Sequence, residues 1–265
     1  MRQARTLWII AIVVTLASAV YQRMTGPTYP VDGHVVLGGQ VIDYRLERSH
    51  ETTGDQVVEI VAPDLSVTAE MTWRRYPSSD PYQTVPLVRQ DAVLRAMLPR
   101  QPAGGKLEYQ VRLARGPEAA LAPAQPAVTR FKDPVSTSVL IFHVLAMFLG
   151  MLWSTRAGLA ALVGGPTRAL AWTTLALLGV GGFFFGPWMQ HQAFGDYWTG
   201  VPFGFDLTDN KTLIAAAAWI FAVTRLRKDR PARAAVGAAA LVTLVVFAIP
   251  HSVWGTEIDW DSLPQ

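Results

Sequence analysis

Cysteine is absent from all 265 residues. The chain therefore has no disulfide, no thiolate nucleophile, no Cys-ligated zinc and no iron–sulfur cluster. This leaves the compartment open, because many exported domains also lack cysteine. Charge is scarce as well: Asp, Glu, Lys and Arg make up 16% of the residues against 51% hydrophobic ones, and the apolar residues gather in long runs. That is the composition of a membrane protein carrying one soluble domain. The net charge of +3 does not come from a basic stripe. Several Lys and Arg residues sit in short segments between apolar runs, as membrane topology requires, and nucleic acid is excluded as a partner. Catalytic signatures are missing too. There is no phosphate loop, dinucleotide fingerprint, nucleophile elbow, His-Glu-x-x-His or EF-hand spacing.

What is present falls into five stretches. Residues 1–25 open with Arg2 and Arg5 ahead of the apolar run Leu7–Val20. Ala17-Ser18-Ala19 matches a small-x-small cleavage site, so the stretch is either a signal peptide or a membrane anchor extended through Tyr21. Residues 26–115 change character. Short alternating runs at Gln56–Val61, Ser66–Trp73, Ala92–Leu98 and Lys106–Leu113 are separated by turn clusters such as Thr53-Gly54-Asp55 and Pro102–Gly105. Strands at this spacing predict an all-β sandwich. The succession Met71–Tyr76, Tyr82–Leu87, Leu94–Pro99 and Gly105–Val111 resembles the closing strands of bacterial immunoglobulin-like (E-set or fibronectin-III-like) domains, in which a strand ending in Leu-Pro precedes a Pro/Gly turn and a Glu-Tyr-x-Val edge. The resemblance implies a fold and carries no active site across. Residues 116–134, rich in Ala and Pro, read as a semi-rigid linker.

Residues 135–250 contain four apolar segments, about Val135–Trp153, Ala169–Trp188, Leu207–Val223 and Ala234–Pro250, each near the roughly 20 residues a spanning helix needs. Arg156 and Arg168 flank one connection and five basic residues from Arg225 to Arg233 crowd another, whereas the connection 187–212 holds only Lys211 and the tail 251–265 has no Lys or Arg. The positive-inside rule places the arginine-bearing turns in the cytoplasm, and the β-domain, the 187–212 loop and the tail outside.

The chemistry-bearing residues lie in or near these outer segments. His143 sits about 12 Å inside the second apolar segment at 1.5 Å per residue, where an ionisable side chain is either a functional contact (a haem ligand, a quinone or proton contact) or a histidine satisfied by a neighbouring carbonyl. His191, His251, Asp206, Asp209 and Glu257 supply imidazole and carboxylate groups suited to a metal ion. The competing account of Asp206, Asp209 and Lys211 is a helix cap plus a salt bridge at the start of the 207–223 segment. Phe194, Tyr197, Trp198, Phe203 and Phe205 place many rings at headgroup level.

The expectation is an integral membrane α-helical bundle, four helices plus an N-terminal anchor or signal, with an exported all-β immunoglobulin-like sandwich. It would sit in the bacterial inner membrane, with the β-domain and C-terminus on the periplasmic side. The expected role is a non-catalytic accessory or scaffold subunit, whose partners are the lipid bilayer and other subunits of a membrane complex. The alternative is a metal- or haem-binding redox protein or enzyme with its site at the outer membrane face, built on His143, His191 and His251.

Overall fold

A computed structural model of the chain describes residues 2–226, 232–251, 253, 255, 258 and 260–262. They form two compact units, one of β-strands and one of helices.

The β unit contains ten strands: β1 (Val31–Leu37), β2 (Gln40–Leu46), β3 (Ser49–Glu51), β4 (Gln56–Val61), β5 (Val67–Arg75), β6 (Gln83–Pro86), β7 (Val88–Gln90), β8 (Val93–Leu98), β9 (Lys106–Arg115) and β10 (Glu118–Lys132). They pair as a β1–β2 hairpin, a five-stranded sheet in the order β3-β10-β9-β5-β6, and a three-stranded sheet in the order β4-β8-β7. Period-two alternation dictates which side chains face inward. In β4, Gln56, Val58 and Ile60 are buried and Val57, Glu59 and Val61 are not; β8 buries Leu94, Ala96 and Leu98 opposite them. These side chains join Leu37, Leu46, Met71, Leu107, Tyr109, Leu113 and Phe131 in one core fed by all three sheets. Full burial of each large side chain contributes about 1.5–3 kcal/mol. Three of its polar members are paired: Thr129 donates to Gln56 Oε1 at 2.7 Å, and Gln56 Nε2 and Tyr109 Oη both reach the Glu47 carbonyl, at 3.0 and 2.7 Å.

Two parts of this unit differ from the sequence expectation. The β1–β2 hairpin turns on Gly38-Gly39, both at positive φ. A Cβ on Gly38 would fall 1.7 Å from Arg115 Nη1, so the turn needs glycine for its dihedral and for space. Residues 116–134 are not a linker. β10 runs through them as the longest strand and pairs with β9 on both sides of a register shift between Ala122 and Ala127. Pro123 and Pro126 fall inside that shift, where a missing N–H leaves no ladder bond unmade.

The C-terminal 3-10 turn, Trp260–Ser262, belongs to the β unit. The Arg75 guanidinium stands 5.0 Å from the Trp260 ring, and Asp261 Oδ1 accepts from Ser79 N and Oγ at 3.1 and 2.9 Å. Asp261, within the 251–265 tail, is thus engaged by strand-connecting residues.

The helical unit comprises α1 (Arg2–Thr25), α2 (Thr137–Leu162), α3 (Arg168–Leu178), a π-helical turn (Gly179–Phe185), α4 (Gly186–Phe194), α5 (Leu207–Arg225) and α6 (Arg233–Ala248). α3, the π turn and α4 run as one helix of 27 residues; with α1 and α2, of 24 and 26 residues, it is long and apolar enough to cross a membrane. α5 has the length, but its first turn carries Asp209, Asn210 and Lys211, and α6 is a shorter apolar helix. Small residues bring the helices together. A Cβ on Gly158 would lie 2.6 Å from Ala240 Cβ, and one on Gly182 would lie 2.4 Å from Thr212 Cγ2. Ala157, Ala215, Ala222 and Ala239 line the same core around Trp219, whose indole N–H donates to Thr243 Oγ1 at 2.8 Å.

Arginines collect at one end of this unit. Trp8, near the start of α1, meets Trp153 near the end of α2, and Arg233 Nη2 donates to the Gly164 carbonyl between α2 and α3 at 2.6 Å. Arg2, Arg5, Arg156, Arg168, Arg225 and Arg233 therefore share an end, whereas Arg23 and Lys211 belong to the other. Arg156 does not flank the connection; it lies inside α2, buried, six residues before the helix ends.

Candidate functional site

The connection between α4 and α5 is folded tightly by side chains from the helices it joins. α4 stops at Gly195, whose N–H donates to the His191 carbonyl at 2.9 Å. The His191 Nδ1–H donates to the Gly195 carbonyl at 2.6 Å, and its ring stacks on Tyr197 with centroids 4.0 Å apart. At the other end Asp206 is the N-cap of α5, accepting from Thr208 N at 2.7 Å and Asp209 N at 3.4 Å. This satisfies two of the orphan donors every helix start presents.

Asp209 and Asn210 reach back into the loop. Asp209 is buried, and its Oδ2 accepts from Thr199 N at 2.6 Å, Gly200 N at 3.0 Å and Thr199 Oγ1 at 3.3 Å. Asn210 Oδ1 accepts from Val201 N at 2.8 Å. Two consecutive side chains thus take three consecutive backbone N–H groups, a compact form of carboxylate and amide recognition by main chain. Gly200 is required where they meet, since a Cβ there would lie 2.6 Å from Asp209 Cβ and 2.8 Å from Asn210 Oδ1. Gln190 of α4 donates to Thr199 Oγ1 at 2.8 Å, and Asp206 N to the Thr199 carbonyl at 3.0 Å. Trp198 stacks on Phe183 and donates to the Val201 carbonyl at 3.1 Å. A rigid loop results, and from it Phe203 and Phe205 project with 82% and 88% of their surface exposed.

Lys211 makes no ion pair among the described residues. Its side chain, 2% exposed, donates from Nζ to the carbonyls of Ile249 at 2.6 Å and Pro250 at 3.3 Å. The ammonium thus caps the C-terminal end of α6, where a helix presents unpaired carbonyls and the negative end of its dipole. Gln22 of α1 supports the same end, donating to Phe247 O at 2.7 Å.

His143 is held by the π turn. A π-helical turn redirects carbonyls by its i→i+5 pattern. The Gly181 carbonyl accepts the Gly186 N–H and also faces His143 Nδ1 at 2.9 Å. A carbonyl only accepts, so Nδ1 carries the proton and Nε2 keeps its lone pair when the ring is neutral.

The metal and haem readings can be set against this geometry. Among the described residues no three His, Asp or Glu side chains are grouped to hold a metal ion. His191, Asp206 and Asp209 make the internal bonds given above, His251 is exposed after α6, and Glu257 lies outside the described residues. For haem, Met147 stands four residues from His143 on the same face of α2, so the two cannot approach opposite sides of one porphyrin.

The Asp209–Asn210 clamp and the Lys211 cap were not anticipated from sequence. Their partners are main-chain atoms 9 to 39 positions away, and no local pattern encodes them. Compared with known proteins, the chain matches no family model and no curated protein sequence.

Proposed function

We propose that this protein is a non-catalytic accessory or scaffold subunit of a bacterial inner-membrane complex. In this reading the helical unit crosses the bilayer with all four C-terminal segments and the N-terminal helix. The β unit is an immunoglobulin-like sandwich on the periplasmic side, and the α4–α5 loop faces the same side. The observation that carries the proposal is the pair Phe203 and Phe205, exposed on a loop whose backbone Asp209 and Asn210 hold in place. Large rings left uncovered by the chain on a fixed support are what an interface anchor requires: apolar area is offered, and little ordering entropy remains to be lost on docking. Asp206, Asp209 and Lys211 beside the loop are turned inward to cap helices and fix a turn, which supports a structural role for them.

The test is site-specific photo-crosslinking from positions 203 and 205 in native membranes. A discrete protein adduct of fixed stoichiometry, lost together with the co-purifying chain in the Phe203→Ser/Phe205→Ser variant, is expected. Crosslinking to lipid alone, with an unchanged set of co-purifying chains, would overturn the proposal.

A further inference from the structure

Arg156 poses a problem that the described residues do not solve. Its side chain is 7% exposed, and both Nε and Nη1 are buried without a hydrogen-bond partner. The guanidinium carbon lies 5.5 Å from the ring centre of Trp8 on α1, and Trp8 meets Trp153 edge-on at 5.0 Å. An aromatic face offsets part of a cation's charge, but it does not accept directed N–H bonds. A guanidinium in protein is a permanent cation, and burying one without an anion is strongly unfavourable. Among the described residues of this unit the carboxylates are Asp196, Asp206 and Asp209, all at the opposite end, on or beside the α4–α5 loop; Asp229, between α5 and α6, lies outside the described residues.

The position of Arg156 identifies the missing partner's chemistry. Six residues of α2 follow it, about 9 Å of helix, which sets the guanidinium just below the end of a membrane-crossing helix, within reach of headgroups. Arg2 and Arg5 are exposed on the first turns of α1 at the same end. Trp8 and Trp153 are the indoles expected at that depth. A group that offers several charged oxygens to arginine there, at the boundary of hydrocarbon and water, is a phosphate.

We infer that Arg156 anchors a phosphate-binding site between α1 and α2, filled by the headgroup of an anionic phospholipid from the leaflet at the arginine-bearing end, with Trp8 as its covering wall. Entry requires the indole to turn off the guanidinium, a side-chain rotation. The inference rests on the helical unit being embedded in a bilayer and is independent of any docking at Phe203 and Phe205.

The full chain, purified in detergent, would be titrated with short-chain phosphatidylglycerol, with phosphatidylcholine of the same chain length, and separately with inorganic phosphate. Retained adducts would be counted by native mass spectrometry and Trp emission followed in parallel. The wild-type protein is expected to retain one phosphatidylglycerol in preference to phosphatidylcholine, with a change in emission that Trp8→Phe removes. Arg156→Gln should bind it at least about tenfold more weakly, the factor that losing one charge-assisted hydrogen bond implies. Arg156→Lys, which keeps the charge, should fall between, and it provides the comparison if the glutamine variant does not fold. Displacement of the lipid by inorganic phosphate alone would keep the phosphate site and assign it a soluble anion. Equal retention of phosphatidylglycerol by wild-type protein and by every folded Arg156 variant would overturn the inference.

Discussion

The ammonium of Lys211, on the first turn of α5, lies 2.6 Å from the carbonyl oxygen of Ile249, just past the end of α6. A buried cation here donates to a backbone terminus, with the Asp206 carboxylate also acting on it electrostatically. Lys211→Met keeps the length and apolar stem of the side chain and removes only the charged donor. The end of α6 then loses a charge-assisted bond, leaving the weak 3.4 Å contact from Gln22 as the other donor to Ile249 O. Thermal or chemical unfolding in mild detergent should show a loss of about 2 kcal/mol, and proteolysis within residues 249–255 should accelerate. An unchanged unfolding midpoint would mean that the ammonium's burial costs as much as its bonds return.

Asp209 and Gly200 make a second, sharper pair. Asp209→Ala strips the acceptor from two main-chain N–H groups and a hydroxyl at once, and the loop 195–206 should open while α5 keeps its Asp206 cap. Gly200→Ala reaches the same outcome from the other side, since its methyl would collide with the Asp209 side chain. Both variants should be cut within 197–205 at least about tenfold faster than wild type under limited proteolysis, the factor expected from about 1.5–3 kcal/mol of lost charged hydrogen bonding. If Asp209→Ala is cut no faster, the clamp does not hold the loop.

These two relationships mark where sequence reading stops. Four strands, β4, β5, β8 and β9, were legible because alternation along a half-buried sheet is a local property. The β1–β2 hairpin carried its own signal in Gly38-Gly39 between alternating runs, the dipeptide that supplies positive φ at both turn positions, and went unread. β10 was obscured by Pro123 and Pro126, which count against a strand unless the register shift that houses them is known. The three long apolar helices were legible from hydropathy, although α2 runs nine residues beyond Trp153, which changes Arg156 from a loop residue into a buried one. The π turn and the clamp depend on atoms brought together by tertiary packing, and periodicity is blind to those.

The β unit should respond to pH at two limits. Asp64 accepts from Ser66 Oγ at 2.7 Å and Ser66 N at 2.9 Å, and from Arg115 Nε at 2.7 Å. These bonds, those of Ser66 foremost, hold its carboxyl down at about 2, against an ordinary 3.8. A depressed folded value means the contribution is complete above about 4 and fades as pH falls through 2. Ser66→Ala, by raising the folded value, should shrink that loss and complete it at higher pH, and Asp64→Asn should abolish it. Tyr109 acts at the alkaline limit: burial pushes its phenol well above the ordinary 10. Its contribution is therefore full below pH 10 and is lost as pH rises toward the folded value, and Tyr109→Phe should flatten that limb. Denaturation midpoints followed against pH would check both, and a midpoint independent of pH between 4 and 2 would exclude the role given to Asp64.

Sidedness can be tested cleanly because the chain has no cysteine of its own. Asp196 is exposed in the α4–α5 loop and Val163 is exposed where α2 ends. The two positions lie at opposite ends of the helix that runs from Arg168 to Phe194. Arginines crowd the Val163 end, and translocation of such turns is disfavoured. Asp196→Cys should therefore react with a membrane-impermeant maleimide in intact cells, and Val163→Cys only after permeabilisation. Neither side chain takes part in the Asp209–Asn210 clamp or the Lys211 cap, and Val163 ends α2 through its backbone N–H alone, so both chains should fold and insert normally. The reverse labelling pattern would put Phe203 and Phe205 in the cytoplasm and remove the periplasmic partner proposed for them. The Arg156 site would survive such a reversal, because it follows the arginine-bearing end to whichever leaflet that end occupies.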